Sequence, residues 1–212
     1  AAVARFIDID QVIRSGQLAA PVELAGLEHR PAHRRTRIAV ADDGCFSLGF
    51  QDNIDLLRYF GAEVVTFSPL ADSSLPSRIG GVYLCGGALN DYGLELAANT
   101  AMMESIQAFA DSGGVVYSEG SGTAWLCRDF SPGGKSEALA GVGIIPASAC
   151  MQVGSSSYDE AVTVEDSVLG RPGLIVKSFS TGEWKLQGAD GLMKVLRVSR
   201  QAGPALREGF SP

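Results

Sequence analysis

The sequence predicts an α/β fold, with a mostly parallel sheet covered by helices on both faces and a β-rich C-terminal part. Three observations carry this. From Arg37 onward, strands of four or five residues alternate with segments whose apolar residues recur at helical spacing. The strands are short continuous apolar runs, the pattern of parallel strands buried on both faces. Third, GGVVYSEGSGTAWLCRDF, residues 113–130, has the strand–turn–helix layout of a nucleophile elbow.

The elements follow in order. Residues 1–16 read as a short amphipathic helix with Phe6, Ile9, Val12 and Ile13 on one face. Residues 17–36 hold Pro21, Pro31 and a basic cluster of Arg30, Arg34 and Arg35 that continues to Arg37, and read as a solvated linker. The main domain is expected over 37–205, with 206–212 as a tail. It opens with a strand at 38–41 and a helix at 51–60, with Ile54, Leu57 and Phe60 inward and Gly61 as its stop. Strands follow at 63–67 and 81–84, the second ending in Cys85-Gly86-Gly87. One long helix is expected over 94–112, striped by Leu96, Met103, Ile106, Phe109 and Ala110 and closed by Gly113. A buried strand at 115–118 and a helix beginning at 123–127 make the elbow, and Trp125 reads as core. Further strands are expected at 142–145, 151–153, 161–164, 174–179 and 193–198, with a polar loop within 151–160.

Bulk properties exclude several function classes. The 212 residues are 46% hydrophobic and 19% charged, an ordinary globular mixture able to bury a sizeable core. A net charge of −7 argues against nucleic acid and anionic membrane surfaces as partners. No apolar run approaches the roughly 18–20 residues of a membrane span. Cys45, Cys85, Cys127 and Cys150 lack C-x-x-C spacing, so neither a metal site nor a disulfide framework is expected. They point to the cytoplasm or another reducing compartment, such as an organelle if the chain is a processed product. The only two histidines are His29 and His33, so residues 34–212 contain none.

In an open α/β sheet, ligands collect at the carboxyl ends of the strands. Three loops are expected to meet there: 42–53, 85–91 and 119–123. Asp43, Asp52 and Asn53 are possible ligand contacts on the first loop, although Asp52 or Asn53 more simply caps the following helix. Glu119 either orients the elbow or satisfies nearby backbone groups.

The stretches RIAVADDGCFSLGFQDNIDLLRYFGAEVVTFSPLAD, VYLCGG, LELAANTAMMESIQAFADSGGVVYSE and AWLCRDF together resemble the glutamine-amidotransferase domain of cobyrinate a,c-diamide synthases. IDIDQVIRSG, residues 7–16, resembles the connector from their synthetase domain. The resemblance implies the class I amidotransferase fold, a Rossmann- or flavodoxin-like three-layer sandwich. It also implies a chemistry: a cysteine thiolate attacks the glutamine amide, a histidine activates it, and backbone N–H groups hold the oxyanion. The ammonia passes to a synthetase domain that uses ATP and Mg to amidate a corrin precursor.

Carried over residue by residue, the pattern departs where the chemistry lies. The family's elbow reads roughly Y-A-E-C-G-G, and Gly120 of Tyr117-Ser118-Glu119-Gly120-Ser121-Gly122 stands at the cysteine. The family's G-H-E-F-H-Y best matches residues 176–181, which puts Ser180 at the histidine. The oxyanion loop, G-G-G-Y-P-E in the family, is Cys85-Gly86-Gly87-Ala88-Leu89-Asn90. Ser121 and Cys85 have no local base to activate them. The expectation is therefore a vestigial pocket of Cys85, Gly86, Gly87, Glu119, Gly120, Ser121 and Gly122 with no glutaminase activity and no cofactor or metal of its own. Gly134-Lys135-Ser136 ends like a P-loop, but Asp129 stands where its first glycine belongs.

Three roles follow. The chain is a docking or structural module that meets a protein partner or synthetase domain through its N-terminal helix. Alternatively, it is the C-terminal domain of an ATP-dependent amide ligase using free ammonia or an unrecognised nucleophile. In the third, the pocket takes a tetrapyrrole or corrinoid ligand, or catalyses another reaction.

Overall fold

In a computed structural model of the chain, the described residues are 8, 10–11, 13–14, 36–133, 137–154, 156–167, 169–190, 192–199 and 206–211. The chain divides into two units, Ala1–Arg30 and Pro31–Pro212. In the first, Asp10, Gln11, Ile13 and Arg14 are helical, and the Gln11 N–H donates to Asp8 Oδ1 at 2.9 Å. Phe6, Ile9, Val12, both histidines, Arg30, Arg34, Arg35 and the Gly134-Lys135-Ser136 tripeptide lie outside the described residues.

The second unit opens on a four-stranded parallel sheet. Strand β1 (Arg37–Ala41) lies between β2 (Glu63–Phe67) and β3 (Gly81–Leu84), and β4 (Val115–Ser118) pairs with β3. The central strands hold the core, with Ala39, Val40, Ala41, Val82, Tyr83 and Leu84 all buried. The expectation of a fully buried elbow strand is corrected: β4 is an edge strand of this sheet and Val115 is exposed.

Helix α1 (Gln51–Tyr59) lays Ile54 and Leu57 against the core, and Gly61 closes it at φ 93°. Phe60, expected on the inner face, is 71% exposed because the helix ends just before it. Neither Asp52 nor Asn53 caps α1; the N-cap position is Phe50, with no side-chain hydrogen bond. The single long helix expected next is two, α2 (Leu89–Ala98) and α3 (Thr100–Asp111). Asn99 breaks it. Its side chain accepts from the Met102 N–H as the cap of α3 and donates to the Pro69 and Asp72 carbonyls, each at 2.8 Å. A short polar side chain that finds better partners outside the helical ladder ends a helix there. Leu96, Met103 and Ile106 are buried as the stripe predicts.

Helix α4 (Ser121–Leu126) is shorter than expected, and Cys127 already begins β5 (Cys127–Ser131). The second sheet runs β10 (Trp184–Gln187), β7 (Ile145–Met151), β5, β6 (Leu139–Ala140). Only its β5–β7 pairing is parallel. The third sheet is antiparallel throughout, in the order β12 (Leu206–Ser211), β11 (Met193–Ser199), β8 (Ser157–Thr163), β9 (Ile175–Ser180). Several expected bounds move. Residues 142–144 form the approach to β7, held by Val142 N–H to Trp125 O and Gly143 N–H to Cys127 O. The strand expected at 151–153 is only the end of β7, half of the polar loop belongs to β8, and the expected tail is β12.

Trp125 and Phe46 are buried with ring centroids 5.4 Å apart, beneath the elbow. Among the described residues all four cysteines are free, and no group of three or more His, Cys, Asp or Glu is placed to hold a metal. No helix among them is long and apolar enough to cross a membrane.

Candidate functional site

The elbow is built by backbone geometry. As β4 ends, the Glu119 N–H donates to the Leu84 carbonyl at 3.0 Å, and the chain turns through Gly120 at φ 53°, ψ −123°. The Gly120 carbonyl then accepts from the Thr123 and Ala124 N–H groups, starting α4. A left-handed φ favours glycine, since an L side chain there costs about 1–2 kcal/mol. Gly122 is needed for a different reason: a Cβ would lie 2.8 Å from both the Leu84 and Cys85 carbonyl oxygens. The hydroxyls of Ser118 and Thr123, 2.9 Å apart, close the turn. At Gly120 itself a Cβ would meet only the Gly86 Cα, at 3.8 Å. The tip has room for a side chain and carries none.

Glu119 is anchored by side chains. It accepts from the Tyr117 hydroxyl at 2.8 Å and the Tyr83 hydroxyl at 3.1 Å, and Asn53 Nδ2 donates to Tyr83 at 3.4 Å. The clamp ties β3, β4 and α1 together under the elbow. Burial, then the neighbouring carboxylate, pushes the Tyr83 phenol up to about 12, and the same two causes raise Tyr117. Both phenols therefore stay protonated and donate. Sequence reading missed this clamp, because Tyr83 and Tyr117 come to stand opposite one another only through the β3–β4 register.

The other predicted residues divide into those that face the cleft and those held elsewhere. Asp43 accepts four protein hydrogen bonds, from the Cys45, Phe46 and Leu70 N–H groups and the Ser68 hydroxyl, so it staples its loop to the end of β2. Asp52 is exposed on the first turn of α1. The Cys85 thiol is turned toward the Ala41 carbonyl and buried, and burial, ahead of the Glu119 charge, raises its pKa. A thiol held protonated is a poor nucleophile.

The 85–88 loop is pinned on both sides, by the Leu48 N–H to the Gly86 carbonyl at 3.0 Å and the Ala88 N–H to the Cys45 carbonyl at 2.8 Å. At Gly87 a Cβ would collide with the Cys45 carbonyl. The Gly87 N–H donates to Ser121 Oγ at 2.7 Å, and that hydroxyl donates to the Gly87 carbonyl at 3.1 Å. All three predicted loops thus converge. They line a cleft of about 1820 Å³ that Ser178, Phe179, Ser180 and Thr181 also line. Gly120 and Ser180, 60 residues apart in sequence, line the same cleft. Between them they offer one hydroxyl and no base, since residues 34–212 contain no histidine.

With this geometry in view, comparison with known proteins is informative. Residues 37–165 match the model of the CobB/CobQ-like glutamine amidotransferase domain. The cobyrinate a,c-diamide synthase of Dehalococcoides mccartyi strain 195 is 33% identical over 173 residues, covering 79% of this chain and 37% of that protein. That of Methanothermobacter thermautotrophicus is 31% identical over 204 residues, 95% of this chain and 44% of the relative. The hydrogenobyrinate a,c-diamide synthase of Streptomyces coelicolor is 35% identical over 144 residues, 68% of this chain and 28% of the relative. The chain spans less than half the length of these relatives. Among solved structures, PurLQS from Thermotoga maritima superposes with a TM-score of 0.58 at 15% identity, covering 79% of this chain and 76% of that one. A structure described as a glutamine amidotransferase gives 0.55 at 14% identity, covering 76% and 79%. These two bear on the fold alone, and it is the class I amidotransferase type.

Proposed function

The chain belongs to the CobB/CobQ-like glutamine amidotransferase domain family, and we propose that within it this is a cobyrinate a,c-diamide synthase-like domain that does not hydrolyse glutamine and serves as a docking or structural module. The observation that carries this reading is Gly120. It occupies the tip of a fully formed elbow, at φ 53°, ψ −123°, with open space where a reacting side chain would stand. The chemistry needs a nucleophile, a base and oxyanion donors, and losing one member of such a set typically costs about 10⁴-fold or more in rate. Here the nucleophile position is bare and the matched base position is Ser180. The partner is a synthetase domain or a separate protein met through the N-terminal helix. A compartment that keeps thiols reduced, the cytoplasm for example, fits four free cysteines.

The length of the relatives favours a second reading. This chain is then the C-terminal part of an ATP-dependent amide ligase that takes free ammonia or uses another nucleophile, with the cleft shaped toward a corrinoid. On this reading ATP and Mg belong to the synthetase part, as the family resemblance implies.

Ammonia release from glutamine by the purified chain, alone and with any co-purifying partner, tests the proposal. A Gly120→Cys, Ser180→His double variant is assayed alongside. No ammonia above the no-enzyme rate is expected from the unaltered chain; release above it overturns the reading and directs attention to Ser121 and Cys85.

A further inference from the structure

We propose that the Ser121 hydroxyl is a built-in plug: it occupies the Gly87 amide, a loop N–H that donates to the elbow, and closes that position to any substrate oxygen. The inference deepens the reading above and rests on its assignment of residues 85–90 as the oxyanion loop.

The geometry is reciprocal. An amide N–H has a single hydrogen, and that of Gly87 is directed at Ser121 Oγ, 2.7 Å away. The hydroxyl gives its own hydrogen back to the Gly87 carbonyl at 3.1 Å, so both of its functions are used on one residue. Ser121 is 5% exposed, which leaves water little access to compete. The Gly87 backbone cannot shift to free the amide. It is flanked by the Leu48–Gly86 and Ala88–Cys45 backbone bonds and lies hard against the Cys45 carbonyl. Swinging the side chain away instead would break both bonds of the pair and take the buried Ser121 hydroxyl from its partners.

The family's elbow has glycine at the position of Ser121, hence no hydroxyl to place there. In this chain the serine oxygen takes up the Gly87 N–H that, on this reading, the oxyanion of a tetrahedral intermediate would need as its donor. The glutaminase site is thus closed at a third point, independent of the missing side chain at Gly120 and of Ser180. Partner docking that leaves α4 intact does not reopen it.

The test is hydrogen–deuterium exchange of the Gly87 amide, followed by NMR on the full chain. The unaltered protein should show Gly87 strongly protected, and exchange at the unstructured-peptide rate would overturn the plug. Ser121→Ala should speed Gly87 exchange about tenfold or more, the equilibrium equivalent of one net hydrogen bond. Ser118→Ala, which removes the neighbouring elbow hydroxyl, should leave it unchanged. Equal protection in the unaltered and Ser121→Ala proteins would overturn the inference, and so would equal acceleration by both variants. Should Ser121→Ala fail to fold, Ser121→Gly serves in its place with the same expected result. The two proposals fail separately: ammonia release by the unaltered chain sinks the lost-glutaminase reading, whereas an unprotected Gly87 sinks only the plug.

Discussion

The elbow and strand β9, which line the same cleft, are built to different standards. At the elbow, Glu119 is gripped by two tyrosine hydroxyls, Gly122 lies so close to two carbonyls that no side chain fits, and Ser118 and Thr123 close the turn. On β9, Ser178 donates to the Asp159 carbonyl at 3.4 Å, and the ring of Phe179, paired with Tyr158 of β8, is 52% exposed and its partner 83%. The position matched to the family's nucleophile lies in the first region and that matched to its histidine in the second. The contrast teaches that an elbow's backbone is held by packing that does not involve its reacting side chain. It can persist whole around a glycine.

The sharpest way to break the comparison is Gly87→Ala. The new Cβ meets the Cys45 backbone, which cannot move aside, and a loss of more than about 4 kcal/mol is expected. Urea unfolding should find no folded baseline, and a midpoint near the unaltered value would show that the loop is looser than described. Alkaline pH should be next in size. Burial, then nearby carboxylates, pushes the Cys45 and Cys127 thiols to about 12 from an ordinary 9.0. The folded state keeps these protons after the unfolded chain gives them up, so the stabilisation is whole below pH 9 and is lost as pH rises toward 12. Urea midpoints from pH 7 to 11 should be level and then fall, and a level profile throughout would contradict the burial of both thiols.

Glu119→Ala should cost about 2–3 kcal/mol, because two phenols lose a charged acceptor, and Glu119→Gln about 1 kcal/mol. Equal costs for the two would show that the charge contributes nothing. Gly120→Ala should cost about 1–2 kcal/mol through its φ alone, since the space is open. Tyr158→Ala, which removes the partner of Phe179, should cost less than about 1 kcal/mol in the same urea assay. If it costs more than Glu119→Ala, the ranking of the two regions is reversed.

Much of this architecture was legible in advance. The four parallel strands were found almost to the residue, because each is a short apolar run bounded by polar or glycine-rich turns. The break at Asn99 was not legible, since its worth depends on carbonyls at Pro69 and Asp72 that only the fold brings near. Strand β5 was not foreseen, and its first residue, Cys127, was read with the preceding helix because Thr123–Cys127 has no local breaker; pairing with β7 decides the matter. Asp43 shows the same limit at the site. As an acidic loop residue it resembled a ligand contact, and the structure fills it with four internal donors.

The sequence by itself determined what the site lacks: a side chain at position 120 and any histidine after His33. No fold can restore an absent group, so that conclusion needed no coordinates. Only the tertiary structure decided what the remaining residues do. The two tyrosines of the Glu119 clamp come from adjacent strands, and the Gly87–Ser121 pair spans 34 positions. Such contacts form where strand register and close backbone packing bring distant groups within 3 Å, a distance that local sequence does not encode.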